Sequence, residues 1–276
     1  THFERREALY RFLGITRNSL HKKTIREVGP GSGQNSLYLA TCLPSKLSLI
    51  EPNPVGKNQI LQNYANCKIK HTKPEIKNIN FKSFECKEKV DFSIAECFLG
   101  DTEIGIELIK KLEKTTKQNG TVVLTATPCI GLLANSLRAA LAYRLIEGKS
   151  EMFDTDTKTL LESFTTHLDT LPFMSRFQRD WIQDNLLNPG ALSEIIHPIQ
   201  LIQVLNNSSL LASYPTIFEG WNWYKTFCGN SNQFSQQWIK QYNLKSHNLI
   251  DTKTVASDRN ESDNIELEHF CKSANN

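Results

Sequence analysis

Three glycines and one glutamate near the start of the chain have the types and the spacing needed to bind a nucleoside. In the stretch TIREVGPGSGQNSLYLATCLPSKLSLIEPNP, Gly29, Gly31 and Gly33 stand between two apolar runs, and Glu51 ends the second run. Glycines let the backbone approach a ligand, because a Cβ there would collide with it or forbid the required φ. A helix that follows such a turn offers free N–H groups to an anion. A carboxylate about twenty residues further on can accept hydrogen bonds from both hydroxyls of a ribose.

The residues around this stretch predict the elements that would hold it in place. Short apolar runs alternate with longer amphipathic runs, which is typical of β-α-β units and a parallel sheet. An amphipathic helix with a structural role is expected at residues 3–13. Strands are expected at residues 25–28, 47–51, 76–81, 90–96 and 121–127, and helices at 35–43, 54–65 and 103–117, the last ended by KQNG at 117–120.

The second half of the chain predicts mostly helical structure. A long helix is expected at residues 132–147, with Leu133, Leu137, Leu141 and Leu145 spaced four apart on a core-facing side. Residues 209–218 are expected to return a strand to the sheet. The predicted organisation is an N-terminal helical segment 1–23, a nucleotide-binding core 24–130, a helical insertion or cap 131–205, a return to the sheet 206–249, and a polar, loosely held tail 250–276.

Composition excludes several classes of protein. The net charge is only +3 and the lysines and arginines are dispersed, so no nucleic-acid partner is expected. The 7 cysteines form no C-x-x-C pair and no Cys/His spacing typical of zinc, which predicts no metal site and favours reduced thiols in a cytoplasmic protein. No apolar run approaches the ~18 residues of a membrane span, so no membrane insertion is expected.

The spacing of the glycines distinguishes between possible ligands. A dinucleotide fingerprint, G-x-G-x-x-G, would place its third glycine at position 34, where Gln34 stands. The pattern G-x-G-x-G with Glu27 before it, EVGPGSG, resembles motif I of the class I S-adenosylmethionine-dependent methyltransferases. LIEPNP, which contains Glu51 and Pro52, is similar to that family's acidic residue after the second strand, and VDFSIAECFLG at 90–100 falls where its fourth-strand motif would be.

The resemblance covers residues 24–127 and implies a fold and a cofactor. The fold would be an α/β, Rossmann-like class I methyltransferase sheet, mostly parallel and doubly wound, with one reversed strand and a helical insertion or cap. The cofactor would be S-adenosyl-L-methionine, bound over the ends of the first, second and fourth strands. Three further stretches, RREALYRFLGI, DNLLNPGAL and EGWNWYK, are similar to uncharacterised bacterial methyltransferases found among surface-polysaccharide genes.

The resemblance also implies roles for individual residues. Glu27 would contact the amino-acid end of the cofactor directly or through water, and Glu51 with Pro52 would hold the ribose. Ser83, Phe84 and Glu85 are all candidates for the adenine end, where no clean counterpart of the family's acidic residue occurs. The glycine turn would line the cofactor and the start of the next helix would meet its carboxylate, a set made of Gly29, Pro30, Gly31, Gly33, Gln34 and Asn35.

The catalytic residues are less well defined by sequence. Methyl transfer to oxygen or carbon needs a general base, whereas an anionic nucleophile needs none. Glu96, at the end of the fourth strand, would face the methyl group, and His167 with Asp169 in THLDT could form a base with its orienting carboxylate. His197, before Pro198, is predicted to be a packing histidine.

The acceptor expected for such an enzyme is a small molecule or a sugar. The aromatic residues and the lysine of EGWNWYK could stack a sugar, or its tryptophans could anchor the end of the sheet. Two other functions stay open, an NAD-dependent oxidoreductase and a non-catalytic nucleotide-binding or assembly module with the same fold.

Overall fold

The chain forms two compact units, each with its own core. The first comprises residues 1–126 and 198–242, and the second residues 127–197 and 243–276. The computed structural model describes residues 1–96, 102–146, 153–171, 174, 177–187, 196–218, 223–226, 231–251 and 255–275.

A five-stranded parallel sheet forms the centre of the first unit, in the order β3-β2-β1-β4-β5. Because the strands are parallel, their carboxyl ends lie at one edge, and the strand order reverses between β1 and β4, where open α/β sheets bind ligands. The strands are β1 Thr24–Val28, β2 Lys46–Ile50, β3 Glu75–Lys77, β4 Val90–Ala95 and β5 Thr116–Leu124.

Helices occur throughout the chain, and their first turns are capped in several cases. Thr1 caps the first helix in a capping box with Glu4, and Asn53 caps the fourth, which has a proline in its first turn. The helices are α1 His2–Phe12, α2 Arg17–Leu20, α3 Gln34–Thr41, α4 Pro54–Asn66, α5 Thr102–Lys114, α6 Cys129–Leu145, α7 Phe153–Leu168, α8 Gln178–Ile182, α9 Pro198–Val204, α10 Ser231–Lys245 and α11 Glu261–Asn275. None of those in the described ranges is long and apolar enough to cross a membrane.

Both faces of the sheet are covered, as in a doubly wound fold. On one face, Ile25, Leu47 and Ile94 pack with buried side chains of α1, α3 and α4. On the other face, Val28 and Ile50 pack with side chains of α5. The predicted α/β, Rossmann-like fold is therefore confirmed, although the strands that the structure describes are all parallel and include no reversed strand.

Asp91 ties β1 to β4 at their amino ends. Its carboxylate accepts hydrogen bonds from the Thr24 N–H at 2.8 Å and the Thr24 hydroxyl at 2.7 Å, and pairs with Lys117 at 3.1 Å. Burial opposes ionisation of Asp91, but these bonds outweigh it and lower its pKa to about 2. This contact lies at the sheet edge opposite the carboxyl ends of the strands.

Two predictions about the sheet were wrong. Residues 117–120, expected to end a helix, lie inside β5, where Asn119 has a φ of 60° and the register shifts between Val90 and Phe92. The polar stretch is thus accommodated by an irregularity of the strand. Residues 209–218, expected to form a strand, form none.

The second unit is helical, with a core of Ala142, Leu160, Phe164, Leu168 and Ile182. Leu137 and Leu141, expected to face the core, are 61% and 51% exposed, so that prediction was wrong. Residues spaced four apart drift by about 40° at each step around a helix with 3.6 residues per turn, so the leucine spacing did not identify the buried face.

The C-terminal region also differs from its expectation. Where the sequence predicts a loosely held tail, α11 extends over Glu261–Asn275. Cys271 is fully buried, and the buried Asn264 donates a hydrogen bond to the Asn243 carbonyl at 2.7 Å. A few well-placed side chains fix this polar segment.

Candidate functional site

The glycine turn between β1 and α3 has a backbone that other residues adopt with difficulty. Gly29, Gly31 and Gly33 have φ values of 69°, 56° and 77°, all in the left-handed region. A Cβ on Gly33 would lie 2.7 Å from Cγ1 of Ile60, whereas one on Gly31 would meet nothing within 4 Å. Gly33 therefore allows α4 to pack against the turn, and Gly31 presents bare backbone to open space.

Glu51 lies against this turn. Its Oε2 accepts a hydrogen bond from the Gly31 N–H at 2.9 Å, and its Oε1 accepts one from the Asn53 N–H at 2.8 Å. A carboxylate has about four acceptor positions, so both oxygens keep capacity for the hydroxyls of a ribose. The structure thus brings together the two motifs that the sequence pairs.

Two residues that sequence analysis missed support Glu51. Asn78, directly after β3, donates through Nδ2 to the carbonyl oxygens of Glu51 at 2.8 Å and Pro52 at 2.9 Å. Gly56 in α4 leaves room for the glutamate, because a Cβ there would lie 3.1 Å from Cγ of Glu51. The position of Gly56 in the first helical turn after LIEPNP could have indicated close packing against Glu51. Nothing in the sequence singled out Asn78.

The start of α3 follows the turn as expected. Pro30 closes the turn through its carbonyl oxygen, which accepts the Gly33 N–H at 2.9 Å. Gln34, the first residue of α3, is exposed and Asn35 is half-buried. Free N–H groups at this helix start can receive an anionic group that approaches Gly31.

Glu27 is buried near the carboxyl end of β1, and its Oε2 has no hydrogen-bond partner in the part of the chain that the structure describes. Burial and the nearby Glu96 raise its pKa from 4.5 to about 8, although Arg6 opposes the shift. Glu27 is therefore mostly the neutral acid at pH 7 in the protein alone.

Glu96, which follows β4, is bound by two residues of α1. Its Oε1 accepts from Arg6 Nη2 at 2.5 Å and from the Tyr10 hydroxyl at 2.8 Å. The prediction gave α1 a structural role only, but this helix places a cation and a phenol beside Glu96. No local pattern in the sequence links either residue to Glu96. The end of the fourth-strand motif, residues 97–100, lies outside the described residues.

The predicted adenine-binding residues lie in the connection between β3 and β4. Ser83 is exposed, and Phe84 packs near Phe81 with its ring centroid 5.6 Å from the guanidinium carbon of Arg26. Phe84 belongs to the cluster on the α5 face of the sheet. Its contacts are those of a packing residue, so the adenine assignment to Ser83 and Phe84 stays a prediction.

His167 and Asp169 are not paired. His167 Nε2 accepts a hydrogen bond from Arg138 Nε at 2.9 Å, and the Asp169 carboxylate accepts one from Gln178 at 2.5 Å. Residues two apart at the end of a helix do not face each other, which explains why the proposed base and carboxylate diverge.

A different histidine in the second unit has a carboxylate partner. His197 Nε2 lies 3.3 Å from Oε1 of Glu268, which also accepts the Cys129 N–H at 2.8 Å. The sequence predicted only packing for His197, and it offered no sign of this pairing with α11. Within the described residues, no group of three or more His, Cys, Asp and Glu side chains is arranged to hold a metal ion.

The aromatic stretch EGWNWYK is described only in part. Trp221 lies outside the described residues, while Tyr224 and Lys225 are exposed in a short helical turn, Trp223–Thr226. The two roles considered for this stretch stay predictions.

Comparison with known proteins identifies the fold. No protein-family model matches the sequence, and no curated protein matches it significantly. PKMT2 from Rickettsia typhi in complex with AdoHcy superposes with a TM-score of 0.56 at 14% identity, over 94% of this chain and 51% of that one. Another structure of PKMT2 gives a TM-score of 0.53 at 15% identity, over 75% of this chain and 41% of that one. The chain thus spans about half the length of the protein it matches, with the same fold.

Proposed function

We propose that the chain is an S-adenosylmethionine-dependent methyltransferase that acts on a small-molecule or sugar acceptor. The observation that carries this proposal is the contact between Glu51 and the Gly31 N–H, which joins a ribose-binding carboxylate to a turn of bare backbone. The contact lies at the carboxyl edge of a parallel sheet, where folds of this type bind nucleotides.

The residues of the turn and the adjoining strands would each hold one part of the cofactor. Glu51 would accept hydrogen bonds from the ribose hydroxyls, and Glu27 would pair with the α-ammonium group. Gln34 and Asn35, at the start of α3, would meet the α-carboxylate. When bound, S-adenosylmethionine supplies a methyl group made electrophilic by its sulfonium, so the protein mainly aligns the acceptor and excludes water.

The geometry changes the roles proposed for the catalytic candidates. Glu96 is bound by Arg6 and Tyr10, which favours an electrostatic role over removal of a proton from the acceptor. His167 and Asp169 have separate partners, so we do not assign them as a catalytic pair. The acceptor is proposed to bind to residues 131–205.

The cellular setting is also proposed. Five cysteines in the described ranges form no disulfide bond, Cys42, Cys67, Cys86, Cys129 and Cys271. Cysteines without disulfide bonds favour a reducing compartment such as the cytoplasm.

A calorimetric titration tests the function. The purified protein is titrated in parallel with S-adenosylmethionine, S-adenosylhomocysteine and NAD. The proposal expects saturable binding of the first two and none of NAD, after which nucleotide-linked sugars would be screened as acceptors. Binding of NAD alone would indicate an oxidoreductase, and absence of binding by all three would indicate a non-catalytic module.

A further inference from the structure

A buried group of charges links α1 to the carboxyl ends of β1 and β4. Glu27 and Glu96 contribute two carboxyl groups, and Arg6 is the cation that interacts with both. Tyr10 of α1 and Tyr64 of α4 also lie close enough to Glu27 to interact with its charge. Burial raises the pKa of both phenols, so they are uncharged at neutral pH.

Within the described residues, the side-chain hydrogen bonds of Arg6 and Tyr10 are made to Glu96. Arg6 Nη2 bonds to Oε1 of Glu96 at 2.5 Å, and the Tyr10 hydroxyl donates to the same oxygen at 2.8 Å. Glu96 is therefore stabilised as an anion. Oε2 of Glu27 is buried and has no partner in the described part of the chain, which leaves this carboxyl without a counter-ion of its own.

A buried carboxyl without a counter-ion is stable as the neutral acid. The direction of the Glu27 pKa, raised to about 8 by burial and by Glu96, agrees with this geometry. A ligand that brings a second cation to the group would reverse the preference, because it would supply the counter-ion that Arg6 does not.

On the premise that the site binds S-adenosylmethionine, we propose that Arg6 and Tyr10 are positioning residues that hold Glu96 as an anion. Because Arg6 is engaged by Glu96, Glu27 has no counter-ion of its own, and cofactor binding is coupled to the loss of a proton from Glu27. The neutral carboxyl of Glu27 releases its proton to solvent, and the resulting carboxylate pairs with the α-ammonium of the cofactor. Charge balances, since one proton leaves as one ion pair forms. The N-terminal helix is then part of the cofactor site.

Proton release can be counted by calorimetry. S-adenosylhomocysteine is titrated at about pH 6.5, where its α-amine is already protonated, in buffers of different ionisation enthalpy. We expect release of about one proton per ligand bound. Below about pH 7, the Kd should therefore fall about tenfold for each unit by which the pH rises. 5′-Methylthioadenosine, which lacks the amino-acid end, should bind without releasing a proton.

Variants separate this coupling from a purely structural role of α1. Glu27→Gln should weaken binding and abolish proton release, and it removes a buried ionisable group, so it should fold. Glu96→Gln frees Arg6 to pair with Glu27, so release should fall towards zero. Glu7→Gln on the same helix is the control: the partner of Glu7 is Arg17, so this variant should keep the release.

The possible outcomes are distinguishable. Proton-free binding of S-adenosylhomocysteine, equal release with 5′-methylthioadenosine, or undiminished release in Glu96→Gln would each overturn the coupling and leave the proposed function intact. Failure of the folded wild-type protein to bind S-adenosylhomocysteine at any pH would overturn the proposed function, and the coupling with it.

Discussion

Glu27→Gln should change the pH dependence of stability in the cofactor-free protein. The pKa of Glu27 rises from 4.5 to about 8 on folding, because burial and the nearby Glu96 disfavour the carboxylate. Between these values the folded state binds more protons than the unfolded state, so stability falls as pH rises. The contribution of protonated Glu27 to the free energy of unfolding is fully present below about pH 4.5 and is lost as pH rises through about 8.

The size of the effect follows from the shift. One pKa unit corresponds to about 1.4 kcal/mol, so this single carboxyl lowers the free energy of unfolding by a few kcal/mol between about pH 5 and pH 9. Glutamine stays neutral at every pH. The variant should therefore gain stability relative to wild type as pH rises, even though it binds the cofactor less well.

The assay is urea unfolding followed by circular dichroism at about pH 5, 7 and 9. The measured quantity is the difference in unfolding free energy between Glu27→Gln and wild type. Glu75→Gln serves as a control, because Glu75 is exposed on β3 and distant in sequence from the charge group. A Glu27→Gln difference that is constant over this pH range would refute the burial argument.

Three further predictions follow from other contacts. Gly33→Ala should destabilise the first unit by about 1–3 kcal/mol. Gly31→Ala should destabilise it by about 1 kcal/mol and mainly weaken binding of S-adenosylhomocysteine. A larger destabilisation by Gly31→Ala would contradict the packing of Gly33 against α4 and the open space around Gly31. His167→Ala and Asp169→Ala should have additive effects on unfolding, within about 0.5 kcal/mol, and a larger coupling would show that the two side chains interact. Asp91→Asn should lower the unfolding free energy by about 1–2 kcal/mol above about pH 4, with the difference disappearing as pH falls through about 2. Cofactor affinity should not change in this last variant, and a large loss would mean that the amino edge of the sheet affects the site.

The parts of the site that sequence could predict are close together along the chain. Gly31 and Glu51 belong to one β-α-β unit, and the positive φ values of the turn explain why glycine is needed there. Their spacing assigned both residues to one nucleoside site, but it did not predict that the Gly31 N–H would donate to Glu51. Strand β5 was also expected, but its start was placed too late, because a polar stretch can be accommodated inside a strand by a register shift.

The contacts that sequence could not predict join distant segments. Arg6 and Glu96 are separated by 90 positions, and an arginine in an amphipathic helix is more often exposed. His197 and Glu268 likewise meet only because α11 folds back within the second unit. Local periodicity contains no information about such pairings, and it also gave the wrong buried face for α6.

The affinity of Glu51→Gln for S-adenosylhomocysteine tests the central claim most directly. Glutamine keeps the shape of the side chain but loses the charge that both ribose hydroxyls would use. A hydrogen bond to a charged group contributes about 1.5–3 kcal/mol, so the Kd should rise about tenfold or more. Glu75→Gln, the matched exposed control, should bind like wild type. An unchanged Kd in folded Glu51→Gln would contradict the assignment of the ribose site.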